Sequence, residues 1–109
     1  PAAPVRRFLD AGIIVGLGMD SAASSGPIDM FEEMRSALHT SYALREPLSA
    51  EEVWRMATSM GARSFGDPSP EAWDIYEGSK TPLIRIHLPA MLHVEDLIEV
   101  ASSTAVDWV

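Results

Sequence analysis

Ile13-Ile-Val-Gly-Leu-Gly-Met-Asp20-Ser21-Ala-Ala-Ser24 is a short apolar run that ends on an acid. Ile13, Ile14, Val15 and Leu17 read as a strand buried on both faces, as the strands of a parallel sheet are. Gly16 and Gly18 thin that strand where neighbouring groups come close. Asp20 falls where the strand gives way to a loop of Gly, Ser and Pro. When parallel strands close into a barrel, their C-terminal ends carry the reacting groups and metal ligands. A single carboxylate at such a point is a candidate metal ligand or proton shuttle. The plainer reading is a loop acid that caps a turn through its side chain.

The flanking residues supply the helices that such a strand needs. Residues 4–11 read as a short helix, with Pro4 in the first turn, Val5, Phe8 and Leu9 on one face, and Gly12 as its C-terminal stop. Helix, glycine and buried strand make the αβ half of a βα repeat. After the loop at 21–27, Asp29 favours a helix N-terminus by its charge. That helix is expected to run to about Leu44, with Ile28, Phe31, Met34, Leu38 and Tyr42 at helical spacing. Glu46-Pro47 breaks it. Ser49-Ala-Glu-Glu52 is a capping box that opens a further helix to about Ser64. Val53, Met56, Ala57, Met60 and Gly61 form its core face, and the small residues allow close approach. Residues 66–70, Gly-Asp-Pro-Ser-Pro, form the clearest internal boundary. Residues 83–88 alternate as a half-buried strand, and 94–101 read as a short helix.

Composition narrows the class. The chain has 109 residues, 47% of them hydrophobic, with a formal net charge of −8. The acidic balance and scattered Lys and Arg argue against a nucleic-acid partner, which needs a basic face. No apolar run approaches the roughly 18 residues of a membrane span, and no signal peptide is visible. Without cysteine, disulfides and thiolate metal sites are excluded. Cytoplasm is the default location. The first residue is Pro, and 105–109 read as a strand starting where the chain stops. Both features are expected of a segment of a longer protein; the alternative is a trimmed small domain.

Several motifs in series carry a resemblance. Val15-Gly-Leu-Gly-Met-Asp20-Ser-Ala-Ala-Ser24, Asp29-Met-Phe-Glu-Glu-Met-Arg35, Leu48-Ser-Ala-Glu-Glu, Arg55-Met-Ala-Thr58 and Gly61-Ala-Arg63 are similar to the amidohydrolase superfamily. The group resembled holds cytosine, guanine, adenosine-type and aminodeoxyfutalosine deaminases, with triazine chlorohydrolases. The resemblance covers about residues 4–65. Beyond Gly66 it loosens: Glu77-Gly-Ser-Lys80 resembles that family's return to a small β-sandwich without its usual glycine-lysine-x-alanine-aspartate pattern.

The resemblance implies an α/β fold: the C-terminal part of a metal-dependent (β/α)8 TIM barrel in residues 1–66, and a return into a small β-sandwich domain in 67–109. It implies that Asp20 binds or approaches a catalytic divalent metal, zinc first and iron second, and moves the proton of the metal-bound water. Ser21 and Ser24 lie on the loop where family members contact substrate; their plainer role is backbone hydrogen bonding. The implied reaction is hydrolytic removal of an amino group from a purine-like heterocycle, or another hydrolysis on the same barrel, such as chloride displacement or cyclic-amide opening. Two departures stand out. Met19 occupies the place of a threonine that would support the carboxylate. The family's histidine ligands and catalytic glutamate would all fall before Pro1, and one carboxylate cannot make a catalytic zinc site. The segment alone is therefore expected to be inactive, to need the preceding part of the same protein as its partner, and to expose apolar surface when made alone. A homo-oligomer is compatible with this reading. The competing class is a small acidic interaction domain without catalysis, which would behave as a cooperative monomer.

The remaining chemistry-bearing residues read more simply. His39 is a helix-surface or packing histidine. His87 and His93 make a conceivable strand-and-loop metal pair, outweighed by a structural reading. Glu32 and Glu33 read as a solvated helix face, with pairing of Glu33 to a neighbouring basic group as the alternative. Met30, Met34, Met56 and Met60 fill a core, and Trp54, Trp73 and Trp108 are packing residues.

Overall fold

Local capping chemistry sets most helix boundaries among the described residues. The computed structural model describes residues 2–21, 23, 26, 28–66, 77 and 78. Helix α1, Val5–Asp10, begins after Pro4 and closes with a Schellman turn. Gly12 N–H donates to Leu9 O at 2.9 Å and Ile13 N–H to Phe8 O at 2.9 Å. Gly12 adopts φ +73°, a left-handed conformation that glycine takes without steric cost. Helix α2, Met30–Ala43, is capped by Asp29, whose carboxylate accepts from Phe31 N and Glu32 N. It ends in the same kind of turn: Arg45 N–H donates to Tyr42 O and Glu46 N–H to Ser41 O, both at 3.0 Å. Here Arg45 holds φ +58° with no glycine to relieve it, and Pro47 follows.

Helix α3, Ala50–Ala57, carries the expected capping box. Ser49 Oγ accepts from Glu52 N at 3.1 Å, and Glu52 Oε2 accepts from Ser49 N at 2.8 Å. The helix expected to continue to Ser64 instead breaks at Thr58, with φ −122° and ψ −101°, and restarts as α4, Ser59–Ser64. The break is a tertiary effect, described below.

Phe31, Met34, Leu48, Val53 and Met56 make the buried core, which lies between α2 and α3. Phe31 and Trp54 face each other with ring centroids 6.5 Å apart in a tilted pair. Ser41 is buried but satisfied: its hydroxyl donates to Leu38 O and accepts from Leu48 N at 3.0 Å, locking the α2–α3 connection. Val5 and Leu9 bring α1 onto this core. Arg6 adds an ion pair to Glu52 at 2.6 Å. Helix α2 buries a narrower stripe than its spacing implies. Ile28 precedes the helix, and Tyr42, two-thirds exposed, faces away from the core.

Residues 13–19 correct the expected strand. Among the described residues none is in a strand; this segment carries no ladder and makes one backbone bond to α3. Val15 and Leu17 pack on the core, whereas Ile13 and Ile14 are 50% and 42% exposed. The alternation of a strand is present, but only one face is covered, because no other described segment lies alongside to pair with it. Gly16 is the close-approach position the sequence indicates; Gly18 has open space around it. The expected strand at 83–88, the helix at 94–101 and the small β domain lie outside the described residues. Among the described residues, no helix is long and apolar enough to cross a membrane.

Candidate functional site

The 13–19 segment delivers Asp20 to an exposed junction. Asp20 takes φ +55°, the left-handed region that aspartate visits more readily than most side chains. This turns the chain away from the line of the segment and into the loop. Its Oδ1 accepts the N–H of Ser21 at 2.8 Å, so the carboxylate is steered by the residue that follows it. Residues held in such sparsely populated conformations concentrate at functional sites. The turn-capping reading of Asp20 is visible in this geometry, in which Oδ1 accepts the amide that follows.

Ser21 lies next to Asp20 and is exposed. Ser24 lies outside the described residues, as do His87 and His93. His39 sits on the exposed side of α2. Among the described residues there is no group of three His, Cys, Asp or Glu side chains able to hold a metal ion. A catalytic divalent metal takes about three protein ligands. Asp20 offers one hard oxygen donor, so the described residues do not make up a metal centre by themselves.

Neither of two concavities formed by the described residues is lined by Asp20. One, of about 200 Å3, lies between α1 and α2 and is lined by Val5, Leu17, Ala37, Leu48 and Met56, with Arg6 and Glu33 among its polar groups. The other lies under Ile13 and Ile14 and includes Arg55 and Arg63. The contact between α1 and α3 shifts two ionisable groups among the described residues. Hydrogen bonding to Glu52 raises the pKa of Arg6. In Glu52, burial pushes the pKa upward, but the hydrogen bond from the Ser49 backbone and the Arg6 contact outweigh it, and the net shift is downward.

Sequence reasoning missed the backbone that holds the Asp20 segment in place. Leu17 N–H donates to Met56 O at 2.9 Å. A carbonyl leaves no mark in a sequence; the only signal was the pair of small residues, Gly16 and Gly61, that let the two elements approach.

Comparison with known proteins completes the picture. The amidohydrolase family model matches residues 2–69, and the chain belongs to the amidohydrolase family. It is 42% identical over 88 residues to a 5-methylthioadenosine/S-adenosylhomocysteine deaminase of Carboxydothermus hydrogenoformans, covering 78% of this chain and 20% of that protein. Against the protein of the same name from Pelotomaculum thermopropionicum it is 41% identical over 117 residues, covering 98% of this chain and 26% of the relative. A 5'-deoxyadenosine deaminase of Methanothermobacter thermautotrophicus is 47% identical over 66 residues, covering 58% and 16%. The chain spans about a fifth of the length of such relatives. No solved structure matches. The family implies a (β/α)8 barrel, of which the described residues supply four helices and one extended segment.

Proposed function

We propose that this chain is the C-terminal portion of a deaminase that hydrolyses the exocyclic amino group of an adenosine-type nucleoside, with Asp20 as its proton-transfer carboxylate. The observation that carries the proposal is the position of Asp20 at the end of the 13–19 segment, within a stretch similar to deaminases of adenosine-type substrates. In the complete barrel this segment is the last strand. Its two edges pair with strands contributed by the rest of the polypeptide, and Ile13 and Ile14, exposed here, are covered on opposite faces of that sheet.

Hydrolytic deamination moves one proton twice. Water adds its oxygen to the ring carbon that bears the amino group, and loses a proton in doing so. The C–N bond then breaks, and the nitrogen leaves as ammonia after gaining a proton. A carboxylate positioned beside both atoms accepts the first proton and returns it to the second, which is general base and general acid catalysis by one group. Asp20 is suited to this role because Ser21 N–H orients its carboxylate where the segment ends.

The family suggests a divalent metal. We assign Asp20 as one of its oxygen ligands, with zinc as the preferred ion and iron as the alternative; the other donors come from residues outside this sequence. Ser21 and Ser24 are assigned to substrate contact on the loop after Asp20. Residues 67–109 are assigned to a return toward a small β domain, on the pattern at 77–80. We assign a cytoplasmic location as part of the same proposal.

The test is direct. The complete polypeptide encoded by the reading frame that contains this sequence is incubated with 5'-deoxyadenosine, 5-methylthioadenosine and S-adenosylhomocysteine, and ammonia and the inosine-type product are measured. Stoichiometric release of both from at least one substrate supports the proposal. Turnover of none of them, with hydrolysis of a chlorinated heterocycle or a cyclic amide instead, transfers the chain to another reaction of the same barrel.

A further inference from the structure

The carbonyl groups at the end of α3 have three different fates. The last four carbonyls of a helix lack intrahelical donors and must find partners elsewhere. Trp54 O accepts from the Thr58 hydroxyl at 2.7 Å, and Arg55 O accepts from Thr58 N–H at 3.2 Å. Met56 O accepts from Leu17 N–H, outside the helices altogether. The break at Thr58 thus turns a backbone carbonyl out of the helical ladder and toward the segment that ends in Asp20. Leu17 stands three residues before Asp20.

Two glycines make that contact possible. A Cβ on Gly61 would sit 2.8 Å from Met56 O, the accepting carbonyl itself. A Cβ on Gly16 would lie 2.7 Å from Ser64 Oγ and 3.1 Å from Gly61 Cα. The 13–19 segment and α4 therefore meet with only hydrogen atoms between their backbones. Ser64 Oγ is itself held by donation to Gly61 O at 2.6 Å, so it has little freedom to retreat. Glycine lowers helix stability relative to alanine. Gly61 occupies a helical position despite that cost, and the reason visible in the structure is the carbonyl it leaves uncovered.

We infer that Gly61, through the Met56 carbonyl and the Leu17 amide, is a positioning residue for the Asp20 carboxylate, making the α3–α4 break part of the catalytic apparatus. This inference rests on the role proposed above for Asp20. A β-carbon at position 61 displaces the Met56 carbonyl, lengthens the bond to Leu17 and lets the end of the segment move. A misplacement of about 1 Å can cost on the order of 100-fold in rate. Substrate binding made elsewhere would change far less.

The experiment uses the complete polypeptide with Gly61→Ala, Met34→Ala and Asp20→Asn in parallel, reading kcat, KM and Tm. Met34 is buried in the same core but makes no part of the Leu17–Met56 backbone hydrogen bond. The inference expects Gly61→Ala to lower kcat at least tenfold with KM within threefold, while Met34→Ala lowers Tm at least as much and keeps kcat within threefold. Wild-type kcat in Gly61→Ala, with an inactive Asp20→Asn, overturns the inference and leaves the proposed function standing. Wild-type kcat in Asp20→Asn removes both. Should Gly61→Ala fail to fold, amide hydrogen exchange on the wild-type protein decides. Slow exchange at Leu17 N–H supports the contact, and exchange at the rate of an open amide contradicts it.

Discussion

Arg6 Nη1 lies 2.6 Å from Glu52 Oε1 and joins α1 to the first turn of α3 across 46 residues of sequence. The same carboxylate closes the capping box through Oε2, so Glu52 serves one tertiary and one local contact. Its lowered pKa fixes the sign of the pH effect. A carboxyl that binds its proton less readily when folded stabilises the fold above its unfolded pKa, about 4.3 for glutamate. That stabilisation is lost as the pH falls through the lower folded value. Glu52→Gln is expected to be less stable than wild type at neutral pH and to show a shallower loss of stability below about pH 4.3. Urea unfolding at a series of pH values checks this; parallel curves for the two proteins would contradict it.

Asp29 caps α2 by accepting from two backbone amides, at 2.9 Å and 3.4 Å. Asp29→Ala leaves both without that partner and is expected to cost about 1 kcal/mol. Asp29→Asn, which retains an acceptor oxygen, is expected to stay close to wild type. Equal losses for the two variants in denaturant unfolding would mean that the charge, and not the cap, is what matters.

Met34 and Tyr42 were both expected on the apolar face of the same helix, yet one is 2% exposed and the other 64%. Met34→Ala is expected to cost about 2–5 kcal/mol, the range for opening a cavity in a core. Tyr42→Ala is expected to change stability by no more than about 0.5 kcal/mol. A large loss at Tyr42 in the complete polypeptide would reveal that another part of the protein covers it.

The helices were legible because their signals are local. Asp29, the Ser49–Glu52 box, Gly12 and Pro47 each act within a few residues, and each boundary falls where those groups place it. The break at Thr58 was not legible. No glycine or proline marks it, and it is stabilised by a donor, Leu17 N–H, that is 39 residues away from its acceptor. Arg45 also adopts a left-handed conformation that its residue type does not announce.

The extended segment was half legible. It was read as buried on both faces, but a run such as Ile13-Ile-Val records that burial is wanted and not what supplies it. Val15 and Leu17 find it on the helices, whereas Ile13 and Ile14 do not find it among the described residues. The turn at Asp20 was recognisable from its place between an apolar run and a Gly/Ser loop. Its left-handed backbone and its bond to Ser21 N–H were not, since both depend on how the segment is held.

The most direct test of the account is the turnover of Asp20→Asn in the complete polypeptide, measured on an adenosine-type substrate that the wild-type protein deaminates. Asparagine retains the size and the oxygen acceptor that meets Ser21 N–H, but it cannot carry the proton. The account predicts a fall in kcat of at least 100-fold, in line with the loss of a general acid–base group, with Tm within a few degrees of wild type. A variant that folds normally and turns over at the wild-type rate would show that Asp20 only caps its turn, and would contradict the central claim.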